Sequence, residues 1–377
     1  MTDISPLSGL RVLDLSRVLA GPLCTMMLGD MGADVIKAER AGAGDETRGW
    51  GPPFDDRGES AYYLSVNRNK KSLAVDLDRN DDQALLRRLA AEADVVVENF
   101  LPGALRRRGL GADSLRDRHP RLVWCTITGF GAESARPGYD VVVQAERGWM
   151  AITGETDGPP MRAGVAIADV MAGKDACVAI LAALLRRERS GEGAGARIVI
   201  SLADSAAAAL INVAQSSLVT GSEAKRWGNA HPNLVPYQLF DAADRPMVVA
   251  VGSDAQWSRC VQALDLTGLA ADPGLVANAG RVRQRSRVVT AVASRLAERA
   301  AAAWVALLSD AGVPCGVVKG VLETLSEVEC SPLTGIAPSV PGSVRLPPPL
   351  LDEHGDEIRR LGWTTFGPAR EDRPLAP

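Results

Sequence analysis

Residues 10–39 read LRVLDLSRVLAGPLCTMMLGDMGADVIKAE. Leu10 to Leu15 is a short apolar strand pattern, and Ala20-Gly21-Pro22 breaks it. Leu23 to Met31 has helical spacing, and Gly32 stops it. Ala33 to Glu39 is a second strand pattern. Strand, helix and strand in so short a run make a βαβ unit, which sets two strands parallel with a right-handed crossover. The alternation continues outward. Strand patterns fall at Ser72–Leu77, Asp94–Glu98, Leu122–Thr128 and Ala196–Ser201. Helical patterns fall at Asp82–Glu92, Asp169–Arg187 and, Ala-rich, Asp204–Leu218. The fold class is therefore α/β, a doubly wound, mostly parallel, Rossmann-like sheet.

The pattern changes after Trp227. WGNAHPNLVP is rich in turn residues, and Tyr237–Phe240 with Met247–Val251 reads as a hairpin. Helices follow at Gln256–Leu264 and Ser286–Ala311, then a strand at Pro314–Val318 and a helix at Val321–Val328. This is a smaller α+β domain. The expected boundaries are 1–200 for the large domain, completed by 335–377, with a linking helix over 201–226 and the small domain over 227–334. HGDEIRRLGW, near the end, is a short amphipathic helix.

Composition narrows the function. A net charge of −4 argues against a nucleic-acid partner. The 6 cysteines form no Cys-x-x-Cys pair, and only 3 histidines are present. A disulfide framework, a metal centre and a Ser-His-Asp triad are therefore not expected. MTDISPLSGLRV lacks the pattern of a signal peptide, and no run is apolar enough to span a membrane, so a cytoplasmic protein with no membrane partner is expected. Arginine far outnumbers lysine, as in GC-rich bacterial genomes.

Glu39 at the end of the second strand pattern invites a dinucleotide reading, because an acid there often holds a ribose. The first loop, SRVLAGP, is not G-x-G-x-x-G, so the glycine cradle for a pyrophosphate is missing. Cations and amides recur instead at the carboxyl ends of the strands. Arg17, Arg40, the run Asn67-Arg68-Asn69-Lys70-Lys71, Asn99-Phe100 and Arg106-Arg107-Arg108 all sit beside strands. Each alone reads as a solvated surface charge; together at one sheet edge they suit a polyanion carrying a planar base. Phe100 is either a stacking surface or a core residue. Asp169 opens a helical segment that ends in Arg186-Arg187-Glu188-Arg189. An acid there is either a helix cap or a working carboxylate.

DLSRVLAGPLCTMMLGDMGADVIKAER resembles the N-terminal signature of the class III CoA-transferase family. NRNKKSLAVDL, VVVENFLPGALRRRGL, TGFG, GYDVVVQAERGWMAITG, the Asp169 segment, GNAHPNLVPYQLF and GVPCG continue the resemblance in order over nearly the whole chain. The resemblance implies an enzyme whose substrates are coenzyme A esters, with no metal. It puts the nucleophilic aspartate at Asp169. CoA contacts fall on Val18, Leu19, Arg40, Asn69, Lys70, Lys71, Asn99, Phe100, Arg107 and Tyr139. It also implies an interlocked homodimer, with each active site between the large domain of one subunit and the small domain of the other.

In this chemistry a carboxylate attacks a thioester carbonyl to give an aspartyl anhydride, which the released thiolate converts to an aspartyl–CoA thioester. A helix start should help keep Asp169 ionised. Racemases of 2-methylacyl-CoA resemble the chain too, but pair the aspartate with a histidine in a Gly-His-Asp run. Here the run is Gly138-Tyr139-Asp140, and a phenol is a poor base near neutrality. Transfer is thus favoured over racemisation. GNAHPNLVPYQLF resembles the dicarboxylate branch, in which succinyl-CoA donates to a dicarboxylic acid. Arg17, Arg162, Asn229 and His231 are candidates for the distal carboxylate. A CoA-binding protein without catalysis is the remaining alternative.

Overall fold

The structure, a computed structural model, describes residues 5–190 and 193–367. It divides into two compact units. One is built from the chain up to Met150, from Arg162 to Ser222, and from Val328 onward; the other from Ala151–Met161 and Glu223–Glu327.

The large unit holds six strands: β1 Arg11–Asp14, β2 Asp34–Arg40, β3 Lys70–Val75, β4 Val95–Glu98, β5 Val123–Thr128 and β6 Arg197–Ser201. All pairings are parallel, in the order β3-β2-β1-β4-β5-β6. This is the doubly wound order expected, with its switch point between β1 and β4. Both faces of the sheet are covered. Val12, Val35, Val95, Val97 and Cys125 belong to one core, whereas Leu13, Ile36, Leu73, Val96 and Trp124 belong to another. Neighbouring strand residues thus enter opposite cores, which is why these strands read as continuous apolar runs.

On the first face lie the helix Ala20–Asp30 and the long helix Ile167–Arg189. Gly173 lets them touch: a Cβ there would stand 2.6 Å from the Ala20 carbonyl oxygen. Gly173→Ala should therefore force the helices apart, at about 1–3 kcal/mol for an overpacked contact. Thermal denaturation reads this, and an unchanged Tm would contradict it. On the other face the last described segment closes the core. Trp363 is buried there and donates its indole N–H to the Leu89 carbonyl at 3.0 Å. The expected Ala-rich helix over Asp204–Leu218 is two helices, Leu202–Ala208 and Ile211–Thr220, bent by 70°. Ile211, at φ 37°, marks the break. Alanine content alone does not reveal it.

The smaller unit holds an antiparallel sheet of β7 Tyr237–Asp241, β8 Pro246–Ala250 and β9 Cys315–Val317, in that order. Its own core gathers Phe240, Met247, Val249, Trp257, Val292 and Trp304. The helix expected over Ser286–Ala311 is broken into Arg285–Leu296 and Ala301–Asp310. The interruption is held by the β7–β8 turn: Ala243 N–H donates to the Arg299 carbonyl, and Asp244 accepts the Ala301 N–H at 2.7 Å. No single helix among the described residues is long and apolar enough to cross a membrane.

Candidate active site

Asp169 is the third residue of the helix Ile167–Arg189, whose N-cap position is Ala166. It does not cap the helix. Asp140, from the helix Asp140–Glu146, supplies that function: its Oδ1 accepts the Ala168 N–H at 2.8 Å and its Oδ2 accepts Gln144 Nε2 at 2.6 Å. Gln144 in turn accepts the Ala163 N–H at 2.8 Å, tying the incoming loop to the same helix. One carboxylate thus caps the helix, and the other, Asp169, takes no part in the capping.

The environment of Asp169 is unusual for an aspartate. Burial, then the negative charge of Asp140, push its carboxyl up to about 7, against the pull of the Ala20 backbone N–H. The position at a helix start favours the ionised form, as the sequence implies, but desolvation outweighs it. Tyr62 faces the same carboxylates. Burial first, then Asp169, Asp140 and Asp45, push its phenol up to about 12, so it stays a neutral donor. Its ring meets Trp50 edge-on at 5.2 Å.

The carboxyl ends of the strands form a cavity of about 630 Å³. Leu15, Arg17, Arg40, Asp45, Phe100 and Arg108 are among the residues that line it. A second cavity of about 580 Å³ lies beyond Phe100, with Glu98, Arg106, Arg107 and Thr126 in its wall. Asp169 lines neither. Arg40 and Arg107 are exposed, and Phe100 is half-buried between the two cavities. Asn99 clasps the switch point: its Oδ1 accepts the Arg17 N–H at 3.1 Å and its Nδ2 donates to the Arg17 carbonyl at 2.8 Å. Val18 and Leu19 follow directly, with Leu19 at the N-cap of the helix Ala20–Asp30. Tyr139 is exposed, one residue before Asp140.

Three expected CoA contacts face inward. Lys70 is fully buried, and its ammonium donates to Asp14, the Pro22 carbonyl and Asn67 at 3.1, 2.9 and 3.0 Å. Burial brings its pKa down to about 8, against the pull of Asp14. Asn69 is also fully buried; it bonds Asp30 and Ser343 and accepts the N–H groups of Arg345 and Leu346. Lys71 reaches Glu357 at 3.1 Å and the Thr365 carbonyl at 2.7 Å. The polar groups of Asn69, Lys70 and Lys71 thus all have partners within the chain. Glu39 does not wait for a ribose either. Arg48 grips both its oxygens at 2.8 Å, and Ser72 donates to it at 2.7 Å. Among the described residues no three His, Cys, Asp or Glu side chains gather as a metal site.

Residues 7–333 match the pattern described as CoA-transferase family III. The chain belongs to that family. It is 42% identical over 379 residues to the succinyl-CoA:glutarate CoA-transferase of Mus musculus, covering 94% of this chain and 86% of that protein. It is 41% identical over 339 residues to a succinate--glutarate CoA-transferase of Agrobacterium fabrum, covering 87% and 84%. The crystal structure of a CAIB/BAIF family protein from Brucella suis superposes with a TM-score of 0.84 at 37% identity, covering 94% of this chain and 98% of that one. The chain is thus a class III CoA-transferase.

Sequence reasoning missed Tyr62, the capping role of Asp140, and the ion pairs beneath the first loop. Asp140 had a visible signal, an acid next to the motif tyrosine. Tyr62 had none, because only the folded chain brings it to Asp169.

Proposed function

We propose that this CoA-transferase moves CoA from succinyl-CoA to a dicarboxylic acid of glutarate type, with Asp169 as the covalent carrier. The observation that carries the reading is the division of labour at the helix start. Asp140 caps the helix, while Asp169, half-buried and raised in pKa, has one backbone N–H pulling on it and no salt bridge among the described residues. The named relatives supply the substrate class.

Ionised Asp169 attacks the thioester carbonyl, expelling CoA thiolate and forming a mixed anhydride. The thiolate then attacks the aspartyl carbonyl, releasing succinate and leaving the enzyme–CoA thioester. The acceptor carboxylate attacks that thioester in turn, and the thiolate resolves the second anhydride on the acceptor side. Atoms balance without a metal or an external proton. Burial strips water from the carboxylate, which raises its reactivity once it is ionised.

Coenzyme A lies along the strand ends in this reading. Arg40 and Phe100 take the adenine, Arg107 takes phosphate, and Val18, Leu19, Asn99 and Tyr139 line the way to Asp169. Asn69, Lys70 and Lys71 hold the ground beneath. The homodimer expected from the family draws support from exposed apolar residues: Val178, Ile211, Leu218 and Val219 are 66%, 72%, 77% and 76% exposed in the single chain. Light scattering should give twice the chain mass.

Succinyl-CoA assayed against a panel of dicarboxylic acids tests the function. Acceptor-dependent succinate release is expected. Deuterium wash-in at the α-carbon of a 2-methylacyl-CoA, with no acceptor acid present, would establish racemisation in its place.

A further inference from the structure

The loop from β1 into the helix Ala20–Asp30 is gripped from below. Val18, a β-branched residue, sits at φ 71°, in the left-handed region that such side chains disfavour. Its N–H points at both carboxylate oxygens of Asp45, 3.2 Å from each. Asp45 is buried and paired with Lys37, which is fully buried, at 3.0 Å. The same ammonium donates to the Ser16 carbonyl at 2.9 Å. Thr47 fixes Asp45 from the other side, through its N–H at 3.0 Å and its hydroxyl at 2.8 Å. One buried pair therefore holds the loop at two points, Ser16 and Val18. Two residues later Ala20 packs against the helix that carries Asp169, its carbonyl oxygen only 2.6 Å from where a Cβ at Gly173, one turn beyond Asp169, would stand, and its N–H draws the Asp169 carboxyl toward the ionised form.

Nothing in the transfer chemistry uses Lys37 or Asp45 directly. A buried ion pair is also a poor way to add stability, since its desolvation offsets most of its attraction. Its geometry gives it a different use. We propose that the Lys37–Asp45 pair is a positioning device for the nucleophile: it holds Val18 in its left-handed conformation and so aims the Ala20 N–H at the carboxylate of Asp169. The proposal rests on the reading of Asp169 as the carrier. Lys37 and Asp45 are positioning residues; they touch the loop and not the reacting atoms.

The groups that face Asp169 set the sign of the effect. Asp140, from the helix Asp140–Glu146, disfavours its charge, and Tyr62 stands nearby as a neutral phenol. The Ala20 N–H favours the ionised form. Releasing that N–H leaves burial and Asp140 unopposed, so Asp169 holds its proton to higher pH and is slower to attack below it.

The test compares wild type with Lys37→Met/Asp45→Asn, which removes both charges together and leaves no lone buried ion from the pair. Asp45→Asn alone is the second variant. Hydrogen exchange at the Ala20 amide and the pH dependence of acyl transfer are read on each. In the double variant Ala20 should exchange at least about tenfold faster, and the acid limb of kcat should move up by about one pH unit, a roughly tenfold loss below the limb. KM for the acyl-CoA should move much less. A folded double variant with wild-type Ala20 protection overturns the proposal, and so does a released Ala20 with an unmoved acid limb. If the wild type forms no covalent intermediate on Asp169, the reading of Asp169 fails, while Ala20 exchange still decides whether the pair holds the loop.

Discussion

Asp169→Asn should abolish CoA transfer and, at neutral pH, yield a more stable protein. An amide cannot attack a thioester to give an anhydride, so the loss should reach at least about 10⁴-fold in kcat. Stability moves the other way because the folded protein holds this carboxylate charged only at a cost. The folded group titrates at about 7, against 3.8 as its ordinary value. In the unfolded chain it loses its proton first, so native stability is fully present below the ordinary value and is lost as pH rises toward 7. Above that range the penalty is constant. At about 1.4 kcal/mol for each pH unit that separates the two values, the upper bound is about 4–5 kcal/mol, and the partial exposure of the side chain lowers it. Asparagine removes it and still offers an oxygen to the Ala20 N–H. Urea denaturation at pH 8 and pH 4 should show the variant more stable at pH 8 and level with wild type at pH 4. Equal stability at both pH values would contradict the costly carboxylate.

Arg48→Ala should be the most destabilising exchange in the large unit. Arg48 is buried and binds both oxygens of Glu39, Glu59 at 2.5 Å, the Tyr63 hydroxyl at 2.6 Å and the Pro349 carbonyl at 3.2 Å. Its guanidinium also lies 3.8 Å over the Tyr63 ring. Burial pushes the Glu39 carboxyl up, but Arg48, Lys37 and Ser72 together bring it below the ordinary carboxylate range. Removing Arg48 leaves buried carboxylates facing each other, at about 3–5 kcal/mol. Arg48→Lys should recover little, since an ammonium cannot reproduce the two-pronged grip on Glu39. The sign of the pH dependence changes as well. In wild type, Glu39 stabilises the fold above its ordinary range, and that contribution fades as pH falls through its lowered value. In Arg48→Ala the acid side should become the more stable side. A stability within about 1 kcal/mol of wild type would contradict this account.

The sheet was legible because its strands are covered on both faces, and continuous Val, Ile and Leu runs mark such strands without ambiguity. Asp169 was legible as a candidate because an acid opened an apolar helix inside a recognisable order of motifs. Its freedom from capping was not, since the Asp140 carboxylate that does the capping lies on a separate helix. The Asn69-Lys70-Lys71 run shows the opposite limit. Charge next to a strand end looks like a ligand contact in sequence, yet Lys70 is spent on Asp14 and Asn69 on Asp30. The break after Leu296 was invisible because tertiary contacts, and not Gly or Pro, hold it.

Transfer by this route requires the Asp169 carboxylate itself to form and resolve both anhydrides. Acceptor acid labelled with ¹⁸O in its carboxylate, taken through one turnover with succinyl-CoA, reports on this through the mass of the Asp169 peptide. Resolution of the second anhydride leaves one acceptor oxygen on the enzyme, so the peptide should gain a single ¹⁸O, and rapid quenching before the acceptor is added should show it carrying CoA. Full turnover with an unlabelled, unmodified Asp169 peptide would contradict the covalent route.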